Sequence, residues 1–203
     1  MPTPYNKSVQ RVPITIEISA RHVHLTAAHI ARLFGPNYRL RPLHRLSQRD
    51  EFASTATVTL RTAAGEITGV RVLGPARPYT QVELAATDAR KLGLTPPVRR
   101  SGDLGSTPGV LLLGPKGTVR LRNGVILQRR HVHLSPKEAA ALKLKDGQRV
   151  AIQVPGPRKL IFQEVEVKVQ PTFRKSLHLD TDEGNAAGIG KKVKGTLLCA
   201  FSL

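Results

Sequence analysis

The 203-residue sequence lacks several features that mark familiar protein classes. It has no Trp, 3 Tyr and 5 Phe, so the aromatic platforms on which single-strand nucleic-acid binders stack bases are scarce. Its single cysteine, Cys199, excludes an internal disulfide and every zinc site built from several cysteines, which favours a reducing cytosol. No apolar run approaches the roughly 18 residues of a membrane-spanning helix, and the opening MPTPYNKSVQRVP lacks a secretory hydrophobic stretch. A membrane partner is therefore not expected.

Acidic residues are also scarce: 14 Asp and Glu stand against 32 Lys and Arg, which gives a formal net charge of +18. Such a charge points to a polyanionic partner, with nucleic acid as the first expectation. However, the two halves of the chain carry equal shares of the charge, and no basic tail collects it. Evenly spread charge fits either a solvated surface or a site for a small, highly charged anion.

Short β-strands separated by Gly, Pro and Asn turn signals dominate the sequence pattern. Alternating or β-branched segments predict strands at Val12–Ile18, Ala56–Arg61, Glu66–Leu73, Val110–Leu113, Val119–Leu127, Arg149–Val154 and Leu160–Val169. Many short strands at close spacing are typical of barrels and sandwiches, so we expect a mainly β protein.

Helical signals are few. Ser135–Glu138 reads as a capping box with proline at the first helical position, and Thr26 is a candidate cap for a second helix, Ala27–Phe34. Thr87 or Asp88 is a third candidate cap, for a turn that ends near Gly93. The stretch Thr95–Pro108 reads as a linker or as a Pro/Gly loop inside a domain.

An internal repeat is the most informative feature. The segment RHVHLT (Arg21–Thr26) recurs 109 residues later as RHVHLS (Arg130–Ser135), each time after an apolar strand and before a short helix. A fainter echo pairs Val82–Asp88 with Leu177–Asp182. The chain therefore consists of two related halves, and the repeat alone would divide it near residue 105.

The repeated histidines are candidate metal ligands. Because residues i and i+2 of an extended segment point to the same side, each His-Val-His presents two imidazoles to one point. With a third ligand they leave one position open on a tetrahedral Zn²⁺, as in catalytic sites. A lone His-x-His mostly binds nothing, but two copies in matching contexts favour metal. The candidate ligands are His22, His24 and Glu83 in the first half, and His131, His133 and His178 in the second. His29 and His44 have no such support and are assigned to surface or packing roles.

Arg77 lies six residues before Glu83, after a Gly-Pro turn. A guanidinium beside a metal suits bidentate capture of phosphate or carboxylate, although an exposed surface arginine fits the position equally well. The small loop expected at Gly184–Gly188 could let a ligand approach the backbone closely, although loops of this kind are usually only turns. No Walker loop, GxSxG elbow or dinucleotide fingerprint is present, so the common nucleotide and serine-hydrolase chemistries have no support.

Four blocks together make the sequence recognisable. It resembles the PduL-type phosphotransacylases, the phosphate propanoyltransferases associated with bacterial microcompartments, over about residues 11–200. The blocks are ISARHVHL (Ile18–Leu25), VLGPARPYTQVEL (Val72–Leu84), RRHVHLSPKEA (Arg129–Ala139) and LHLDTDEGNAAG (Leu177–Gly188). The resemblance implies reversible transfer of a short acyl group, propanoyl or acetyl, between coenzyme A and phosphate with two zinc ions.

The resemblance also implies roles for individual residues. The first metal would be held by His22, His24 and Glu83 and the second by His131, His133 and His178. Arg77 would bind phosphate and act as the catalytic residue, and the CoA contacts would be Ser19, Arg71, Leu73, His178 and Asn185. The sequence departs from the family at His44, where a lysine near CoA can occur, and at Tyr79, where a polar residue is expected.

The fold implied by the resemblance is two β-barrel domains capped by short helices. One would be discontinuous, residues 11–20 with 129–203, and the other would be residues 21–128. We expect a homo-oligomer in the bacterial cytoplasm or inside a microcompartment of propanediol degradation, with shell proteins or co-encapsulated enzymes as partners. MPTPYNKSVQ shows no amphipathic encapsulation helix, so both locations stay open. A metal-dependent hydrolase and a zinc-stabilised nucleic-acid-binding module remain the alternative classes.

Overall fold

The computed structural model describes residues 9–189 and 193–200, and strands predominate in this part of the chain. Strand accounts for 44% and helix for 14%, which confirms the predicted mainly β fold. No helix among these residues is both long enough and apolar enough to cross a membrane.

The described residues contain fifteen strands and four short helices. The strands are β1 (Val9–Ile18), β2 (His22–His24), β3 (Pro42–Arg45), β4 (Phe52–Arg61), β5 (Glu66–Gly74), β6 (Gln81–Leu84), β7 (Val98–Arg99), β8 (Leu111–Leu113), β9 (Thr118–Arg120), β10 (Val125–Gln128), β11 (His131–Leu134), β12 (Arg149–Val154), β13 (Leu160–Val169), β14 (Ser176–Leu179) and β15 (Val193–Ala200). The helices are α1 (Ala27–Phe34), α2 (Ala86–Lys91), α3 (Pro136–Ala141) and α4 (Thr181–Ala186).

The chain divides into two compact units. The barrel unit contains the described residues up to Ser19 and those from Arg130 onward, and the sheet unit contains Ala20–Arg129. Because β1 pairs with β14 and β15, the N-terminal strand belongs to the barrel built by the C-terminal half.

The barrel unit is a closed six-stranded barrel in the order β1-β14-β11-β13-β12-β15. Its strands alternate as a half-buried sheet requires: in β12, Val150, Ile152 and Val154 are buried and the intervening residues are not. These side chains join Ile14, Ile16 and others in one apolar core. Closure leaves none of these six described strands with an unpaired edge.

The sheet unit is a curled sheet in the order β7-β10-β6-β2-β5-β4-β8-β9, with β3 paired to β4. Strand β2 therefore lies in its middle, between β5 (parallel) and β6 (antiparallel). Val23 of β2 and Val82 of β6 are fully buried in the unit's apolar core. The same arrangement recurs in the barrel unit, where β11 lies between β13 (parallel) and β14 (antiparallel).

Two predicted helix starts are confirmed. The Thr26 side chain accepts a hydrogen bond from the His29 backbone N–H at the start of α1. Ser135 and Glu138 form a complete capping box at the start of α3. In both cases the cap and its partner are three residues apart, so the interaction is local and readable from sequence.

Three local predictions are wrong, and the first two concern the start of helix α2 and one long strand. Helix α2 begins at Ala86 after the N-cap residue Ala85, not at Thr87 or Asp88, because the Asp88 carboxylate pairs with Arg21 instead of capping. The predicted strand Val119–Leu127 is two strands, β9 and β10, separated by a turn that contains Gly124 at φ 117°.

The third wrong prediction is the loop at Gly184–Gly188. Gly184, Asn185 and Ala186 are the last three residues of helix α4, which the sequence did not predict. That helix has its own capping box, formed by Asp180 and Glu183. Thr95–Pro108 lies inside the sheet unit and includes β7, so it is a loop within a unit and not a linker.

Candidate metal centre

The register of β2 against β6 positions the first group of predicted ligands. His22 lies opposite Glu83 and His24 lies opposite Gln81, while Val23 faces Val82. Directly opposed residues share a face of the sheet, so the four polar side chains lie together on the face away from the apolar core. The register thus places Glu83 beside both histidines.

The ligand atoms of His22, His24 and Glu83 lie within 4.8 Å of one another. His22 Nε2 lies 3.2 Å from Glu83 Oε2, and His24 Nε2 lies 3.8 Å from Glu83 Oε1. All three side chains are buried, with Glu83 only 3% exposed. Two imidazoles and one carboxylate form a donor set that suits a divalent ion such as Zn²⁺.

A backbone hydrogen bond determines which nitrogen of His22 could bind a metal. His22 Nδ1 lies 2.8 Å from the Ala20 carbonyl oxygen, which can only accept, so Nδ1 carries the hydrogen and Nε2 is left as the ligand atom. Burial lowers the pKa of His22, but the Glu83 carboxylate and the Ala20 carbonyl together raise it above its ordinary value. A metal ion would take the place of the proton that this carboxylate attracts.

His24 is held in the neutral form. Burial and the neighbouring His22 charge hold the pKa of His24 well below its ordinary value, although Glu83 opposes them. Its Nδ1 is buried and has no hydrogen-bond partner among the described residues. Because a neutral imidazole can give a lone pair to a metal, the donor set of His22, His24 and Glu83 fits a bound divalent ion.

Arg77 is close enough to influence the ligands electrostatically. Its positive charge lowers the pKa of both His22 and His24, although burial is the largest influence on each. The Arg77 backbone N–H donates to the Leu25 carbonyl at 2.9 Å, and its Nη2 donates to Glu51 Oε1 at 2.8 Å. Sequence reasoning missed Glu51, because it lies 26 residues before Arg77 and no motif contains it.

The second predicted group lies in the barrel unit. His131 of β11 lies opposite His178 of β14, the same relation that His22 has to Glu83. The His131 and His178 rings stack with centroids 5.1 Å apart, and His133 lies 4.5 Å from each. His133 also stacks on Phe173 at 3.7 Å. The structure therefore brings the three predicted histidines together on one part of the barrel.

The two nitrogens of His178 both have hydroxyl neighbours. Ser19 Oγ lies 3.4 Å from Nδ1 and Ser176 Oγ lies 3.0 Å from Nε2. Glu17 Oε2 lies 3.9 Å from Nε2, and β1 places Glu17 opposite His178. Ser176 could have been found as the residue two before His178 in the same strand, since such residues share a face.

The other predicted CoA contacts are spread over both units. Arg71 lies opposite His22 and donates to the backbone carbonyls of Ser54 and Thr55, each at 3.1 Å. Leu73 lies opposite His24 and is partly buried. Asn185 is exposed on α4, near its C-terminal end.

The histidines assigned to surface or packing roles, and Tyr79, lie outside the ligand group. His44 is exposed on β3. His29 is partly buried on α1, and its Nδ1 lies 2.7 Å from the Thr80 hydroxyl. Tyr79 lies against the loop after β7, where a Cβ added to Gly102 would stand 3.2 Å from the tyrosine hydroxyl oxygen.

Each His-x-His is preceded by an arginine anchored in the same way. Arg21 pairs with Asp88 of α2 at 3.3 Å, and Arg130 pairs with Glu183 of α4 at 2.7 Å. In the sheet unit, α2 follows β6, the strand that carries Glu83. In the barrel unit, α4 follows β14, the strand that carries His178. The internal repeat therefore extends from the sequence to the contacts around each predicted site.

Most of the chain is similar in sequence to known proteins. The sequence model of the phosphate propanoyltransferase family matches residues 15–190. The chain is 46% identical over 175 residues to a phosphate propanoyltransferase of Thermotoga maritima, covering 86% of this chain and 83% of the relative. It is 46% identical over 177 residues to that of Klebsiella pneumoniae, covering 87% and 84%, and 39% identical over 194 residues to that of Alkaliphilus metalliredigens, covering 95% and 92%. The chain therefore belongs to the phosphate propanoyltransferase family.

Proposed function

We propose that the protein is a metal-dependent phosphate acyltransferase. It would interconvert a short-chain acyl-CoA plus phosphate with an acyl phosphate plus CoA, with propanoyl or acetyl as the acyl group. The observation that carries the proposal is the buried group of His22, His24 and Glu83, with Arg77 within electrostatic reach, in a chain of this family.

The proposed ligands of two zinc ions are the two groups already described. His22, His24 and Glu83 would hold one ion, and His131, His133 and His178 would hold the other. When bound, zinc would supply a Lewis acid toward the thioester carbonyl and a soft site for the thiolate of CoA. The Ala20 carbonyl supports this assignment, because it keeps the hydrogen of His22 on Nδ1.

Arg77 is the proposed phosphate-binding and catalytic residue. Its guanidinium would orient a phosphate oxygen toward the thioester carbon and offset the repulsion between two anionic substrates. As the new C–O bond forms and the C–S bond breaks, the acyl group passes to phosphate and CoA leaves as a thiolate. Phosphate is already anionic at neutral pH, so the step needs no dedicated general base.

CoA itself would be bound by Ser19, Arg71, Leu73, His178 and Asn185. Arg71 supports this role, because it lies opposite the ligand His22 and carries a charge that suits a phosphate of CoA. We further expect a homo-oligomer, with microcompartment shell proteins or co-encapsulated enzymes as partners. The molecular mass in solution and co-purification with shell proteins would test these two expectations.

The test is an assay of CoA release from propanoyl-CoA and acetyl-CoA by zinc-loaded protein, with and without phosphate. We expect release that requires phosphate and yields acyl phosphate. Release that proceeds equally without phosphate would indicate a hydrolase instead. Absence of release, together with salt-sensitive binding to DNA or RNA, would favour the nucleic-acid-binding alternative.

A further inference from the structure

Gln81 is a buried polar residue to which the proposed function gives no role. It is fully buried, and β6 places it two residues before Glu83 on the same face of the sheet. Its side-chain amide contacts Glu83 and two residues of the loop that follows β7. A fully buried amide with several specific partners indicates a fixed orientation.

The hydrogen bonds of Gln81 determine which end of its amide is oxygen. The Gly102 backbone N–H donates to Oε1 at 2.7 Å, and an N–H can donate only to an oxygen here. The other end is therefore the NH₂ group, whose two hydrogens reach Glu83 Oε1 and Ser101 Oγ, the latter at 2.8 Å. The network is consistent in one orientation of the amide only.

This network determines how the Glu83 carboxylate is turned. Gln81 donates to Oε1, while Oε2 lies 3.2 Å from His22 Nε2. Outer residues that hold a ligand in this way contribute strongly to metal affinity.

The loop after β7 is shaped to hold Gln81. Gly102 has φ 93°, a conformation that residues with a side chain rarely adopt, and Tyr79 packs against it. The loop therefore presents the Gly102 N–H and the Ser101 hydroxyl to an amide that is 20 residues away from Ser101 in sequence. The Pro/Gly-rich stretch Thr95–Pro108 therefore connects strands and also provides two hydrogen-bond partners for Gln81.

We propose that Gln81 is a positioning residue for the ligand Glu83, held in turn by Ser101 and Gly102. The inference rests on the proposed function, because it assumes that Glu83 binds a metal. Its effect is on metal affinity in the sheet unit. It does not require that Gln81 touch either substrate.

The test compares zinc affinity in the full-length protein by competition with a chelating dye. Gln81→Met keeps the length of the side chain but removes its hydrogen bonds, and we expect about 10- to 100-fold weaker binding at one class of site. Ser101→Ala should give a smaller loss, because the bond from Gln81 to Glu83 remains. Unchanged zinc affinity in Gln81→Met would overturn the inference.

Ser54→Ala is the matched control. Ser54 is also fully buried in the sheet unit, and its hydroxyl donates to the Val72 carbonyl at 2.8 Å. It should lower the Tm of the zinc-free protein without changing zinc affinity. If Ser54→Ala weakens zinc as much as Gln81→Met does, the role of Gln81 is only structural and the inference is wrong.

A measurement on the unaltered protein covers the case in which Gln81→Met fails to fold. The side-chain amide hydrogens of Gln81 should exchange slowly in NMR spectra and shift when zinc is added. Exchange as fast as that of an exposed glutamine would overturn the inference. Failure of the proposed function is distinguishable, because it appears as absent phosphate-dependent CoA release in the unaltered protein, whatever Gln81→Met does.

Discussion

Neutralising Glu51 should strengthen phosphate binding. Glu51 Oε1 accepts a hydrogen bond from Arg77 Nη2 at 2.8 Å, so the proposed phosphate-binding arginine already has an anionic partner. Incoming phosphate must displace this carboxylate or lie beside it. Glu51→Gln keeps the shape of the side chain but removes both the competing charge and its repulsion of phosphate.

The expected size of the effect follows from the exposure of the pair. The side chains of Arg77 and Glu51 are 25% and 30% exposed, so solvent screens their attraction and the pair contributes about 1 kcal/mol. Because about 1.4 kcal/mol corresponds to a tenfold change in an equilibrium constant, the KM for phosphate should fall about fivefold. High ionic strength should reduce this difference.

The assay is the initial rate of CoA release at saturating propanoyl-CoA over a range of phosphate concentrations. Glu66→Gln is the matched control, since Glu66 pairs with Arg61 at 2.7 Å elsewhere in the sheet unit and the change in net charge is identical. The KM of this control should not change. A higher KM for phosphate in Glu51→Gln would refute the reasoning, because it would show that Glu51 orients Arg77. An equal fall of the KM in both variants would also refute it, because the effect would then come from the net charge of the protein alone.

Three further predictions test other parts of the molecule. His131→Ala should reduce bound zinc to about half, because only one of the two proposed sites loses a ligand; unchanged metal content by mass spectrometry would contradict the second site. Burial raises the pKa of Glu183 and the Arg130 hydrogen bond opposes it, so Arg130→Met should raise that pKa further. A carboxyl pKa that is raised in the folded protein adds stability at low pH, and this stability is lost as the pH rises through that pKa. In Arg130→Met the loss of stability should therefore extend to higher pH. An NMR titration that finds the same Glu183 pKa in the variant would refute this prediction. Ser135→Ala should cost about 1 kcal/mol of unfolding free energy by removing the cap of α3, as measured by denaturant unfolding, and a cost near zero would show that Glu138 alone holds the helix start.

Local patterns in the sequence predicted the local structure well. Strands β12 and β13 begin and end at the predicted residues, because alternation of apolar side chains is visible within the strand itself. The Ser135 capping box was equally readable, since its partners are three residues apart. Prediction was wrong where a distant partner decided the outcome, as with Asp88, which pairs with Arg21 instead of capping α2.

The sequence by itself determined that two His-x-His segments each present a pair of imidazoles to one side, because a strand repeats every two residues. The repeat also supplied Glu83 and His178 as the candidate third ligands. Only the tertiary structure decided that Glu83 stands opposite His22, that Glu51 pairs with Arg77 and that Ser101 and Gly102 hold Gln81. These contacts depend on strand register and on loops that bring together residues 20 or more positions apart, and short-range sequence patterns do not specify them.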